Sequence, residues 1–234
     1  MSPESTRRVA RWWASVAGVP AADLWQCGVR VNRHGKLDGP AADADAVTVL
    51  RRDDAVRVVV PLWVDKPLLE HLRDQPVGPL LDKKFWSGLE LPDRKARRHT
   101  VHFYSDTPVS TPGRVEAVEP GAVAGWRDLV SRKKWEASGF ADHPSRLFGV
   151  RDGGDLAAVA GLTDFLGVDS SVGVLTHPAH RGHGLATRVV RAATSAAVAD
   201  HGLARFLAEA DQHRAQTVAT KLGFRPYAEQ LVYR

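Results

Sequence analysis

The chain of 234 residues carries one cysteine, Cys27, which excludes an internal disulfide framework and fits a reducing compartment. A lone thiol beside an apolar stretch, with no histidine near it in sequence, is expected to be buried and inert. No apolar run approaches the roughly 18 residues of a membrane-spanning helix. The N-terminus sets Glu4, Arg7 and Arg8 close to Trp12 and Trp13, so it lacks the apolar centre of a secretion signal. A cytoplasmic protein is expected. No internal repeat is obvious, and two common nucleotide-binding signatures are missing. The dinucleotide fingerprint is incomplete, and no Gly-Lys-Ser/Thr closes a phosphate loop.

What remains is ordinary in bulk. Hydrophobic residues make up 44% and charged residues 25%, as in a soluble globular protein long enough for a sizeable core. The net charge is +5. The basic residues are mostly arginine, which points to a GC-rich, bacterial genome. Two basic clusters stand out, Arg94, Lys95, Arg97 and Arg98, and Arg132, Lys133 and Lys134. Each reads as a solvated face, or as attraction for a polyanion. Aromatic residues do not alternate with them as stacking platforms, so nucleic acid is an unfavoured partner.

The informative stretch is Arg181-Gly182-His183-Gly184-Leu185-Ala186. It follows an apolar run from Val172 to Thr176 and precedes an Ala- and Val-rich helical segment. The first N–H groups of a helix have no internal partner and carry partial positive charge. Glycines let that backbone approach an anion closely. The stretch therefore reads as a pyrophosphate cradle.

Arg181, Gly184 and Ala186 match the Arg-x-x-Gly-x-Ala signature of the GNAT acetyltransferase superfamily, which this region resembles. Val218 to Phe224 resembles the helix-ending signature of the same fold, with Gly223 suited to a left-handed position. A Trp135–Gly139 element, the Leu175–Pro178 run and an Ala228–Leu231 tail are similar to a subgroup from high-GC bacteria. The resemblance covers about residues 113–234.

The order of elements agrees with it. Strands are expected at 114–119, 147–150, 157–162, 172–176, 206–210 and 231–233, with a turn at Asp152-Gly153-Gly154. Helices are expected at 125–138, 185–200 and 213–222. In the first half, Val9, Trp12, Trp13 and Val16 space an amphipathic helix over 7–16. Strands follow at 28–31, 46–50 and 56–60, the last continuous and so central, with a turn at Asp53-Asp54. A helix over 66–73, a loop over 76–92 and a strand over 100–104 complete it. Trp12, Trp13, Trp25, Trp63 and Trp86 are expected in the core. The stretch 106–113, with Pro108 and Pro112, is the best linker candidate. The fold class expected is α/β with a mixed (α+β) sheet, the GNAT acyl-CoA transferase fold plus an N-terminal α/β region. Residues 1–112 form that region, either a degenerate GNAT-like half or an element of an acceptor site or dimer, and 113–234 form the acetyltransferase domain.

The resemblance implies acetyl-CoA as cosubstrate and no metal. Backbone groups of Val174, Leu175 and Thr176 would bond the pantetheine arm in a gap beside their strand. N–H groups of Arg181, Gly182, His183, Gly184, Leu185, Ala186 and Thr187 would hold the pyrophosphate, and Gln212 stands where the family often has asparagine. Transfer to an amine requires a base to take its proton. Glu136 is the first candidate, Asp164 the second and Glu209 the third. Many family members protonate the departing thiolate with a tyrosine, and Ala219 stands at that position here. Tyr227 and Tyr233 lie nearby in sequence. His177, His180 and His183 have no Cys or carboxylate cluster beside them and read as solvent- or phosphate-facing. The implied activity is acetyl transfer from acetyl-CoA directly to a primary amine of a small molecule or protein. A non-catalytic acyl-CoA-binding regulatory module and a nucleic-acid binder are the competing classes. A homodimer stays open, and a membrane partner is not expected.

Overall fold

The computed structural model describes residues 1–33, 45–89, 96–111 and 113–233. Within them the chain forms α1 (Pro3–Ala17), β1 (Gly28–Arg33), β2 (Val47–Arg52), β3 (Ala55–Val60), α2 (Lys66–Arg73), α3 (Lys83–Ser87), β4 (Ala96–Ser105) and β5 (Glu116–Val118). Next come α4 (Arg132–Ala137), β6 (Arg146–Asp152), β7 (Asp155–Phe165), β8 (Val168–Thr176), α5 (Leu185–His201), β9 (Ala204–Glu209), α6 (His213–Lys221) and β10 (Arg225–Tyr233). Short 3-10 turns lie at Pro79–Leu81, Pro120–Arg127, Phe140–Asp142 and Pro178–His180. Among the described residues no helix is long and apolar enough to cross a membrane.

Two compact units divide the chain. The first comprises Thr6–Val101 with Tyr227–Arg234, the second Met1–Ser5 with His102–Pro226. In the first, the strand order is β1–β3–β2–β10. All six residues of β3 are buried, as its apolar run predicts, because it has a strand on each side. One of them, Arg57, is charged. Its Nη1 donates to the carbonyls of Gly28 and Val56, and its Nη2 to those of Asp23 and Gln26. Burial lowers its pKa from the ordinary arginine value, and the neighbouring Arg30 adds to this. The guanidinium thus serves as a shared donor for the segment before β1. Cys27 sits at the bend just before β1 and is exposed there, which corrects the expectation of a buried thiol.

The stretch 76–92 is also more ordered than its Pro and Gly content suggests, as far as Leu89; residues 90–92 lie outside the described ones. Asp82 caps α3 by accepting from Lys84 N at 2.8 Å, and Trp86 is fully buried with Nε1 donating to Leu80 O at 2.7 Å. Trp13 is likewise buried, whereas Trp63 is 40% exposed, contrary to expectation. Of the first basic cluster, Arg94 and Lys95 lie outside the described residues.

In the second unit, the order is β9–β8–β7–β6–β5, antiparallel except for the parallel β8–β9 pair. Helix α5 packs on β6, β7, β8 and β9. It buries Leu185, Val189, Ala193 and Ala197 at four-residue spacing. The helix expected over 125–138 is two shorter pieces. The 3-10 turn ends at Arg127, and Ser131 restarts the chain as α4 by capping Lys134 N. The last strand begins at Arg225, six residues before the expected 231. The proline-bearing stretch 106–113 is pinned along α5: Val109 N donates to Ser195 Oγ at 3.0 Å, Ser195 Oγ donates to Val109 O at 2.5 Å, and Arg191 Nη1 donates to Ser110 O at 3.0 Å. Pro112 lies outside the described residues.

Candidate functional site

The site is created by a failure of pairing. Strands β8 and β9 are in register only at Ser171↔Arg205 and Val172↔Phe206 among the described residues. Beyond that, β8 runs on to Thr176 and β9 to Glu209. On its other side β8 stays paired with β7 through Thr176↔Ala158. From Gly173 onward, one edge of β8 therefore offers N–H and C=O groups to a gap rather than to a strand.

That gap is a cleft of about 830 Å³, walled by Val172–Thr176, Phe206, Leu207, and Asp211–Ala215 at the start of α6. Lys134, Ala137 and Ser138 of the α4 region and Arg181 complete it. Gly173 is required at this wall. A Cβ there would lie 2.0 Å from the Ser138 carbonyl oxygen, closer than any side chain permits. The glycine lets the end of α4 meet the strand where the gap begins.

Past β8, His177 caps a 3-10 turn and the chain passes Gly182 (φ 90) and Gly184 (φ 73, ψ 6) into α5. Gly184 is the N-cap and supplies no side-chain acceptor. The N–H groups of the first turn, from Leu185 to Thr187, are left without an intrahelical partner. An anion at that end meets aligned donors and the positive pole of a 17-residue helix. The cleft's charged side chains lean the same way: Lys134, Arg181 and Arg214, with His213, against one carboxylate, Asp211.

The structure brings Val174, Leu175, Thr176, Arg181 and Gln212 into the walls of one cleft. Gly182, His183, Gly184, Leu185, Ala186 and Thr187 continue the chain from Arg181 and do not line it. The base candidates fall elsewhere. Glu136 is 54% exposed, pairs with Arg132 at 2.7 Å, and lines a different hollow on the α4 region. Asp164 is exposed at the far end of the β7–β8 hairpin, opposite Asp169, where the register shifts. Glu209 ends β9, and its carbonyl accepts from Gln216 Nε2 at 3.1 Å. Ala219 is fully buried.

Tyr227 and Tyr233 belong to the first unit and are buried there. The Tyr227 hydroxyl accepts from Trp25 Nε1 at 3.0 Å, and burial pushes its pKa up. His180 Nδ1 lies 3.1 Å from Asp152 Oδ2, and His177 packs on Trp126 at 5.6 Å between ring centroids. Among the described residues no three His, Cys, Asp or Glu side chains gather as metal ligands.

The end of α6 bears the bonds of a Schellman motif, Phe224 N to Ala219 O and Gly223 N to Thr220 O, both 3.0 Å, with Gly223 at φ 83. It seats Phe224 against Phe206, 5.8 Å between centroids, where β8 and β9 part. Lys134, Asp211 and Arg214 line the cleft in addition to the residues expected from the sequence. A signal existed for Lys134, which sits in the second basic cluster.

Residues 114–224 match the model of the acetyltransferase (GNAT) family. This stretch is a GNAT domain. The chain is also similar to several solved structures. A GCN5-related N-acetyltransferase from Kribbella flavida is 22% identical over 60% of this chain, with a TM-score of 0.43. The chain spans 59% of that protein, less than two thirds of its length. A Drosophila protein is 13% identical over 98% of this chain and 87% of its own, with a TM-score of 0.50, and shares the fold. A tandem GNAT protein from the clavulanic acid biosynthesis pathway is 17% identical over 99% of this chain and 95% of its own, with a TM-score of 0.45. No curated protein matches the sequence.

Proposed function

We propose that the GNAT domain is an acetyl-CoA-dependent N-acetyltransferase that moves acetyl directly to a primary amine of a small molecule or protein. The observation that carries this reading is the gap that opens between β8 and β9 after Val172 and Phe206, next to a helix whose N-cap is glycine. The pantetheine arm lies in the gap and bonds the free edge of Val174, Leu175 and Thr176. The pyrophosphate lies on the N–H groups from Arg181 to Thr187, with Gln212 at the opposite wall. A β8 N–H aimed at the thioester oxygen stabilises the charge that develops there, an effect of about 3 kcal/mol in favourable sites. Residues 1–112 are read either as a degenerate GNAT-like half or as an element of an acceptor site or dimer; the compact unit that contains most of them runs from Thr6 to Val101 and also takes in Tyr227–Arg234.

Two observations favour a second reading. Ala219, at the position where the family often has its thiolate-protonating tyrosine, is fully buried, and neither leading base candidate lines the cleft. A domain that binds acyl-CoA without turning it over would tolerate both.

Calorimetric titration with acetyl-CoA, followed by free-thiol release across a panel of amines, separates the readings. Binding with amine-dependent release is expected. Binding without release for any amine would favour the regulatory module, and no binding would overturn both.

A further inference from the structure

A second hollow of about 800 Å³ lies within the second unit, on the other side of α4 from the cleft. Consecutive residues of one helix part between the two: Trp135 and Glu136 face the hollow, while Ala137 and Ser138 wall the cleft. An apolar floor is laid by Val123, Phe140, Pro144 and Leu147. Trp135, half-buried, meets Phe140 at 5.7 Å between centroids and 51° between planes, so their rings form an angled wall rather than a closed stack.

Its charges are unbalanced. Arg127, Arg132 and Glu136 reach the rim, and Glu136 is taken by Arg132 at 2.7 Å. Arg127 has no carboxylate partner among the described residues. The rim thus keeps one uncompensated guanidinium over an aromatic and aliphatic floor. The backbone beside it is strained as well. His143, another rim residue, holds φ 50 and ψ 73, a left-handed conformation uncommon for a residue with a side chain and concentrated at binding sites.

We propose that this hollow binds a small carboxylate with an aromatic or branched apolar body. The body packs on Trp135, Phe140 and Leu147, and the carboxylate pairs with Arg127. A guanidinium beside an apolar wall selects for both halves of such a molecule. The neutral amide forfeits the charge-assisted bond, and a bare anion forfeits the floor. Glu136 tunes the seat, because its carboxylate occupies Arg132 and repels an arriving anion.

The test uses phenylacetate, with phenylacetamide as its neutral match, titrated into the full chain and followed by calorimetry. Phenylacetate is expected to bind about tenfold or more tighter than the amide, and R127M to remove that preference. The variant E136Q is expected to tighten phenylacetate about threefold or more, a gain that a misfolded variant does not produce. Equal binding of acid and amide, no binding of either, or affinities unmoved by both variants would overturn the proposal. A further arm finds the source of the carboxylate. If phenylalanine drives thiol release from acetyl-CoA and phenylacetate competes with it, the hollow seats the acceptor. If phenylacetate binds without such competition, it seats an effector. Because phenylacetate binding is read without acetyl-CoA, its failure is separate from failure of the transferase reading.

Discussion

Strand β3 and the Val172–Leu175 half of β8 are both largely apolar, and each strand has a parallel neighbour, yet the two pairs end differently. β3 is in register with β1 over six residue pairs, whereas β8 is in register with β9 over two. The turns that follow differ in the same sense. Asp65 caps α2, its carboxylate accepting from Leu68 N at 3.0 Å. Gly184 caps α5 with no side chain. An anion seat thus needs two things together, an unpaired strand edge and an uncapped helix start. The first unit has closed both: its strand edge is filled, and a carboxylate already stands at the helix pole where a phosphate would bind.

The comparison can be broken from either side. Placing a carboxylate at the second unit's cap, G184D, is expected to weaken acetyl-CoA binding about 100-fold or more in calorimetry, about 2.7 kcal/mol. Removing the buried donor of the first unit, R57M, strands carbonyls that now share one guanidinium. It is expected to cost on the order of 3 kcal/mol in chemical denaturation while leaving acetyl-CoA affinity within about twofold.

A smaller effect follows from Glu229 in β10. Its carboxyl is held below the ordinary carboxylate value, first by the hydrogen bond from His99 at 3.3 Å. Burial opposes this, and Arg51, at 2.7 Å, adds to it. A depressed carboxyl contributes stability that is present above its unfolded value and is lost as pH falls through the folded one. The melting temperature should fall on acidification below about pH 4.3, and E229Q should flatten that limb. The smallest change is D65A, which should cost about 1 kcal/mol of stability and leave acetyl-CoA binding unaltered.

Much of this was legible where the signal is local. The buried run of β3, the 66–73 helix and the glycine-bearing loop before α5 are fixed by neighbouring residues. Apolar spacing through Trp126, Leu129 and Trp135 predicts one helix over 125–138, whereas capping at Ser131 makes the break. A single arginine in an apolar strand reads as an outward position, so the sequence does not signal a buried Arg57; its carbonyl partners come from the 23–28 segment and from β3 itself. The early end of β8–β9 pairing, which makes the cleft, is a contact between segments some 35 residues apart. No periodicity records it. The Trp135–Gly139 motif points to Glu136, but its i,i+4 pairing with Arg132 holds it on the face of α4 away from the cleft.

Hydrogen exchange with and without saturating acetyl-CoA tests the central claim most directly. The account predicts that protection rises at Gly173–Thr176 and at Gly182–Thr187, while β1 and β3 are unchanged. Protection confined to the first unit, or absent from both of those segments, would contradict it.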